Sequence, residues 1–133
     1  MINRRKAREY AFILLFEYKF QPEEINTILE DFFSEYKTGE QEEYIRSVVE
    51  GVINNLDDID ELISSYSKKW SVDRISIVCM ALMRLAVYEM RFIEDIPLNV
   101  SVNEAVNLTK LYDGEESVSF VNGILGNIKE SCK

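Results

Sequence analysis

Apolar residues recur along the chain at three- and four-residue steps, and long alternating stretches are missing, which points to amphipathic helices and away from strands. Ala7, Ala11, Leu14, Leu15 and Tyr18 form one continuous face and predict a helix from about Asn3 to Phe20. Pro22 ends it, and Pro22-Glu23-Glu24 opens a second helix with acids in its first turn, as the helix dipole favours. Ile25, Ile28, Leu29, Phe32, Phe33 and Tyr36 form the stripe of that helix, and Thr38-Gly39 stops it. A third helix, about Glu42 to Asn55, buries Ile45, Val48, Val49, Val52 and Ile53. After a break at Asn54-Asn55, a fourth runs from about Asp57 to Lys69 on Ile59, Leu62, Ile63 and Tyr66, and Trp70 reads as a packing anchor.

From about Val72 to Phe92 the chain is apolar nearly all round, so this segment must be enclosed by the other helices and forms the central element, with a possible bend near Ala81. Asp95-Ile96-Pro97 closes it. Ser101-Val102-Asn103-Glu104 has the pattern of a capping box, serine reaching forward and glutamate back, at the start of a helix that runs to about Tyr112. Asp113-Gly114 stops that helix, and a last one covers about Glu115 to Cys132 on Val118, Val121, Ile124, Leu125 and Ile128. Gly123 and Gly126 fall inside its pattern, where they would permit close packing. The expectation is one all-α domain of about seven helices in two packed bundles, residues 1–56 and 57–133.

Composition supports a globular core, with 47% hydrophobic residues and only five Gly and two Pro. Charge changes the picture more. The formal net charge is −9, yet residues 1–8 hold Arg4, Arg5, Lys6 and Arg8 and no acid. A polyanion could approach one end of the molecule only. Cations at a helix start oppose its dipole at a cost of roughly 0.3–1 kcal/mol each when exposed, and a bound phosphate would reverse that penalty. The basic start is therefore either a polyanion site or a solvated, frayed terminus. The stretch from Glu23 to Glu61, with Lys37 and Arg46 as its only bases, is either a solvated face or a surface that attracts a basic protein.

No histidine is present, which excludes histidine-based triads, metal sites and acid–base pairs, and there is no phosphate-binding glycine loop. No catalytic residue, cofactor or metal is expected. Cys79 lies in an apolar run and Cys132 near the end, a pair that suits a reducing cytosol better than a disulfide. The apolar run after the basic start spans only Tyr10 to Phe16 between Glu9 and Glu17, and Arg84 interrupts the stretch from Ile75 to Met90. A cytosolic helix is expected in place of a signal peptide, and no membrane span. Asn103, Asn107 and Asn122 either bond across helices or cap them, and Asn122 beside Gly123 could instead meet RNA. Phe120 is either core or a platform for an unpaired base.

Three segments, in order, resemble the NusB family. They are Arg4-Arg5-Lys6-Ala7-Arg8-Glu9-Tyr10-Ala11 leading to Leu15-Phe16; Leu82-Met83-Arg84-Leu85-Ala86-Val87-Tyr88-Glu89-Met90; and Ile96-Pro97, Asn103-Glu104-Ala105-Val106, Lys110 and Phe120-Val121-Asn122-Gly123-Ile124-Leu125. Order and spacing agree from Arg4 to Ile128. The resemblance implies a seven-helix, two-bundle fold that binds boxA RNA jointly with NusE, a small-subunit ribosomal protein. It also implies membership of an RNA polymerase antitermination complex that suppresses termination, notably on ribosomal RNA operons. By position, it implies RNA contacts from Arg4, Arg5, Lys6 and Arg8, with Phe16, Glu116, Phe120 and Asn122 as further candidates, and a NusE-facing surface near Asp73, Arg74 and the central helix. Homodimers that cover the RNA surface also occur in the family. The chain departs from the family at Val78-Cys79, where acidic or polar residues are usual, at Phe16, where tyrosine is more common, and at Gly126, where aspartate is common. Two alternatives remain: a protein-only helical adaptor, and the NusB-like domain of a ribosomal RNA methyltransferase, for whose methyl-donor domain these 133 residues leave no room.

Overall fold

Seven α-helices, linked by short turns and three 3-10 segments, make up the described residues of the computed structural model, 2–68 and 72–132. No strand occurs among them. The helices are α1 (Arg4–Phe20), α2 (Ile25–Glu35), α3 (Gln41–Asn54), α4 (Leu56–Ser67), α5 (Ile77–Phe92), α6 (Leu98–Tyr112) and α7 (Val118–Ser131). The 3-10 segments are Pro22–Glu24, Val72–Arg74 and Glu115–Ser117. Trp70, expected as a packing anchor, lies outside the described residues.

Local chemistry sets most helix ends. Asn3 caps α1, its side-chain oxygen accepting from the Lys6 amide at 2.8 Å, and this satisfies one of the first-turn donors left without a helical partner. Asn55 closes α3 by donating both its backbone and its side-chain N–H to the Gly51 carbonyl, the latter at 2.8 Å. Ser76 caps α5, accepting from the Cys79 amide at 3.0 Å. Gly114, with φ of 114°, lets the chain leave α6 while its N–H bonds the Thr109 carbonyl at 3.0 Å.

α5 is the axis of the packing. It lies against α1, α3, α4, α6 and α7 and is buried over most of its length, including Met80, Leu82, Met83, Leu85 and Val87. Ile45, Val48, Val49 and Val52 of α3 and Leu125 and Ile128 of α7 join the same continuous core. Arg84 leaves this core sideways and grips Asp60 of α4 with two bonds, at 2.7 and 2.9 Å. α3 and α5 approach closely at Gly51 of α3, where a Cβ would sit 2.2 Å from the Tyr88 ring. Only a residue without a side chain permits that contact.

Four expectations are corrected. The central helix begins at Ile77 after a 3-10 turn, and it runs unbroken through Ala81. The Ser101–Glu104 pattern is not a cap: α6 already starts at Leu98, where the Pro97 carbonyl accepts from the Val100 amide, and both side chains bond to other helices instead. Gly123 and Gly126 permit no close packing, since a Cβ at either would meet nothing within 4 Å. They lie off the row Val121, Ile124, Leu125 and Ile128 that α7 buries. The last helix begins at Val118, after a 3-10 turn.

Candidate nucleic-acid interface

The first turn of α1 carries the four cations of the basic start, and its helical geometry divides them. Arg4, Arg5 and Lys6 are exposed, whereas Arg8 is only 4% exposed. The physical reason is position: Arg8, Ala11, Phe12 and Leu15 follow one another at helical spacing on a face that is buried throughout. Arg8 is thus set inward of its three neighbours, although it still borders the groove that Arg4 and Arg5 line.

The Arg8 guanidinium is instead part of an internal polar cluster. Its Nε donates to Glu89 Oε2 at 2.8 Å, and Glu89, on the largely apolar α5, is fully buried. The Tyr44 hydroxyl from α3 donates to the same oxygen, and Ser101 Oγ from α6 donates to Oε1 at 2.7 Å. A buried carboxylate is tolerated only when its lone pairs are filled in this way. Desolvation works against the Arg8 charge, but the hydrogen bond and the charge of Glu89, helped by Tyr44 and Glu104, outweigh it and hold its pKa above the usual value. Burial and the Glu89 charge push the Tyr44 hydroxyl strongly upward, so it stays a donor. One carboxylate thus ties four helices together directly beneath the basic corner.

The exposed arginines are tethered to this frame. Arg5 makes a forked pair with Glu104 of α6, Nε to Oε1 and Nη2 to Oε2, both at 3.1 Å, and Glu104 also lies 3.5 Å from Arg8 Nη1. Arg4 donates to Gln41 Oε1 at 2.8 Å and lies over the Tyr44 ring, 4.1 Å from its centre. Lys6 bonds Glu9 at 3.1 Å, and that bond and the Glu9 charge raise the lysine pKa. Glu9 also accepts from the Tyr112 hydroxyl, which lowers the Glu9 pKa and pushes that of Tyr112 up to about 12. The basic start is therefore not a frayed arm. It is an ordered, partly neutralised cationic corner whose arginines can exchange protein carboxylate or amide oxygens for phosphate oxygens.

Arg4 and Arg5 form one wall of an open groove of about 550 Å³. Pro97, Val100, Asn103 and Asn107 of α6 and the turn before it form the other. Phe16, a further expected contact, lies about 16 Å along α1 from Arg5 at 1.5 Å per residue. It is half-buried in an aromatic row, its ring centre 6.4 Å from that of Phe12 and 5.3 Å from that of exposed Phe20. Glu116 and Phe120 line a different groove together with Arg74 and Cys79, so one partner-facing candidate shares a surface with two RNA candidates. Asp73 is exposed beside Arg74, and Asn122 is exposed on α7 and lines neither groove. At the Val78-Cys79 departure, Cys79 is buried, and desolvation, with Asp113 at 3.4 Å from its sulfur, raises the thiol pKa. Neither Val78 nor Cys79 carries a charge at the positions where the resemblance implies acidic or polar residues.

Sequence reading missed Glu89, Tyr44 and Gln41. For Glu89 a signal existed, since an acid on a helix that is apolar all round requires a buried cation, and Arg8 sits on an apolar stripe. For Tyr44 and Gln41 nothing local distinguishes them from surface residues of an amphipathic helix.

Fold and site together define a small helical protein with one cationic corner, braced from inside, on an acidic body. The NusB family model matches residues 5–130, and the chain belongs to the NusB family. It is 41% identical over 132 residues to the transcription antitermination protein NusB of Bacillus subtilis, covering 99% of this chain and 98% of that one. It is 42% identical over 125 residues to that of Thermoanaerobacter sp. strain X514, covering 94% and 89%. Its fold is similar to that of T. maritima NusB, with a TM-score of 0.90 and 40% identity over 97% of this chain and 92% of that one. It is also similar to a chain of a crystal structure of the antitermination factors NusB and NusE in complex with dsRNA, with a TM-score of 0.85 and 28% identity over 96% of each chain.

Proposed function

We propose that this protein is a transcription antitermination factor that binds boxA RNA together with NusE, as part of an RNA polymerase complex that suppresses termination. The observation that carries the reading is the tethered pair Arg4 and Arg5, exposed on an otherwise acidic body and held in place by Gln41 and Glu104. Such guanidinium groups supply phosphate contacts, while unpaired bases are read by neighbouring polar and aromatic groups. Arg4, Arg5 and Lys6 are the phosphate contacts in this reading, and Arg8 is the brace beneath them. Phe16, Glu116, Phe120 and Asn122 extend the RNA surface, and Asp73 and Arg74 face NusE, which the acidic body also attracts. The chain works as one unit of two helical bundles, as a cytoplasmic adaptor without catalysis. No histidine is present, no cluster of metal-ligating side chains occurs among the described residues, and no helix there is long and apolar enough to cross a membrane.

The test is an RNA titration with boxA-containing and scrambled RNA, with and without NusE. A boxA preference that NusE strengthens is expected, and its absence would overturn the reading. Within that assay, the variant Arg4→Ala/Arg5→Ala should bind more weakly and lower the slope of log affinity against log salt by about 1.4, at about 0.7 per phosphate contact on single strands. An unchanged slope would remove these two arginines from the interface.

A further inference from the structure

The groove beside Arg4 and Arg5 has a second wall that phosphate binding does not use. Asn103 and Asn107 stand one turn apart on the outer face of α6, both exposed. Neither bonds across helices or caps one: no hydrogen bond joins either amide to the described residues. Between them and α1 lies Glu104, whose fork on Arg5 fixes the distance between the two walls. Pro97 and Val100, the latter 40% exposed, give the same groove an apolar surface. The groove, of about 550 Å³, is open to solvent, and Arg8 and Asp95 also border it.

We infer that this groove is a base-reading subsite, in which Asn103 and Asn107 hydrogen-bond the edge of one unpaired nucleotide whose phosphate is held by Arg4 or Arg5. A carboxamide offers a donor beside an acceptor, so it pairs in two-pronged fashion with a base edge of the same kind, as adenine N6 and N7 present. The base plane lies on Pro97 and Val100, which cover its apolar face. Selectivity arises because a base with the wrong edge forgoes the two-pronged bond that the matching edge makes. The inference rests on the RNA-binding reading above and adds to it the residues that distinguish one sequence from another.

The test is the double variant Asn103→Ala/Asn107→Ala, titrated with boxA-containing and scrambled RNA in the presence of NusE, beside the unaltered protein. Both positions are exposed in a helix interior, where alanine is the better helix former, so the variant folds and its thermal melt provides the control. Its charge is unchanged. Affinity for boxA RNA should fall by about tenfold, while affinity for scrambled RNA and the salt slope of both stay the same. A boxA-to-scrambled ratio equal to that of the unaltered protein overturns the subsite alone. So does an equal loss on both RNAs, which would mean sequence-independent contacts. If the unaltered protein itself shows no boxA preference, the RNA-binding reading fails and the subsite fails with it.

Discussion

Replacing Glu89 with glutamine keeps the side-chain volume and removes one charge from the centre of the molecule. In the native protein that carboxylate is fully buried and accepts from Arg8 Nε at 2.8 Å, from Ser101 Oγ at 2.7 Å and from the Tyr44 hydroxyl. In Glu89→Gln the two hydroxyls can still bond to the amide, but the Arg8 guanidinium, only 5% exposed, loses its counter-charge. Breaking a buried pair from one side costs about 3–5 kcal/mol. Glu104 at 3.5 Å from Arg8 Nη1 keeps part of the compensation, which places the expected loss near about 3 kcal/mol. Against a typical total of about 5–15 kcal/mol, this is a large fraction of the stability. Equilibrium urea unfolding should show a midpoint lower by about 1–3 M with an unchanged slope. The companion variant Arg8→Met/Glu89→Gln removes the stranded cation as well, and it should recover about 2 kcal/mol of the loss. If Glu89→Gln costs less than about 1 kcal/mol, or if the double variant is as unstable as the sum of the singles, the buried brace is not what holds this corner.

Two further outcomes follow from separate contacts. Gly51→Ala places a methyl group 2.2 Å from the Tyr88 ring and should destabilise the protein by about 1–3 kcal/mol, even though alanine favours helix; adding Tyr88→Leu should return most of that in a thermal melt. Tyr112 bonds Glu9, and its folded-state pKa of about 12 lies above its ordinary value near 10, so its contribution is complete below about pH 10 and is lost as pH rises through about 12. Tyr112 is 41% exposed, so screening keeps this contribution under about 1 kcal/mol. The stability advantage over Tyr112→Phe should therefore shrink between those pH values, and a constant difference across them would remove the hydrogen bond as its source.

The elements were legible where one face of a helix meets the core, because burial imposes a period of 3.6 residues on the chain. The peripheral helices have that signature, while α5 is apolar nearly all round, and Asn3, Pro22 and Gly114 mark ends that local chemistry decides. The errors share a cause. Ser101 and Glu104 have the spacing of a cap, yet each is taken by a partner far away in sequence, Glu89 and Arg5. Likewise Arg8 looks like its neighbours in composition, and its partner Glu89, 81 residues away, is invisible to local spacing. Spacing reports which face a residue occupies, but not which distant side chain waits there.

The basic segment lies at the start of α1, and helix ends usually open first. Here the Asn3 cap closes the first turn of α1, and the Arg4–Gln41 bond, the Arg5 fork on Glu104 and the Arg8–Glu89 pair bind the start of that helix to α3, α6 and α5. The two bonded amides of that turn, those of Lys6 and Ala7, should therefore exchange with solvent far more slowly than a frayed helix start allows, as members of one cooperative unit with the α5 core. Order in the cationic corner and integrity of the whole fold are then a single equilibrium, so heat or urea would abolish the arginine geometry only when the molecule as a whole unfolds.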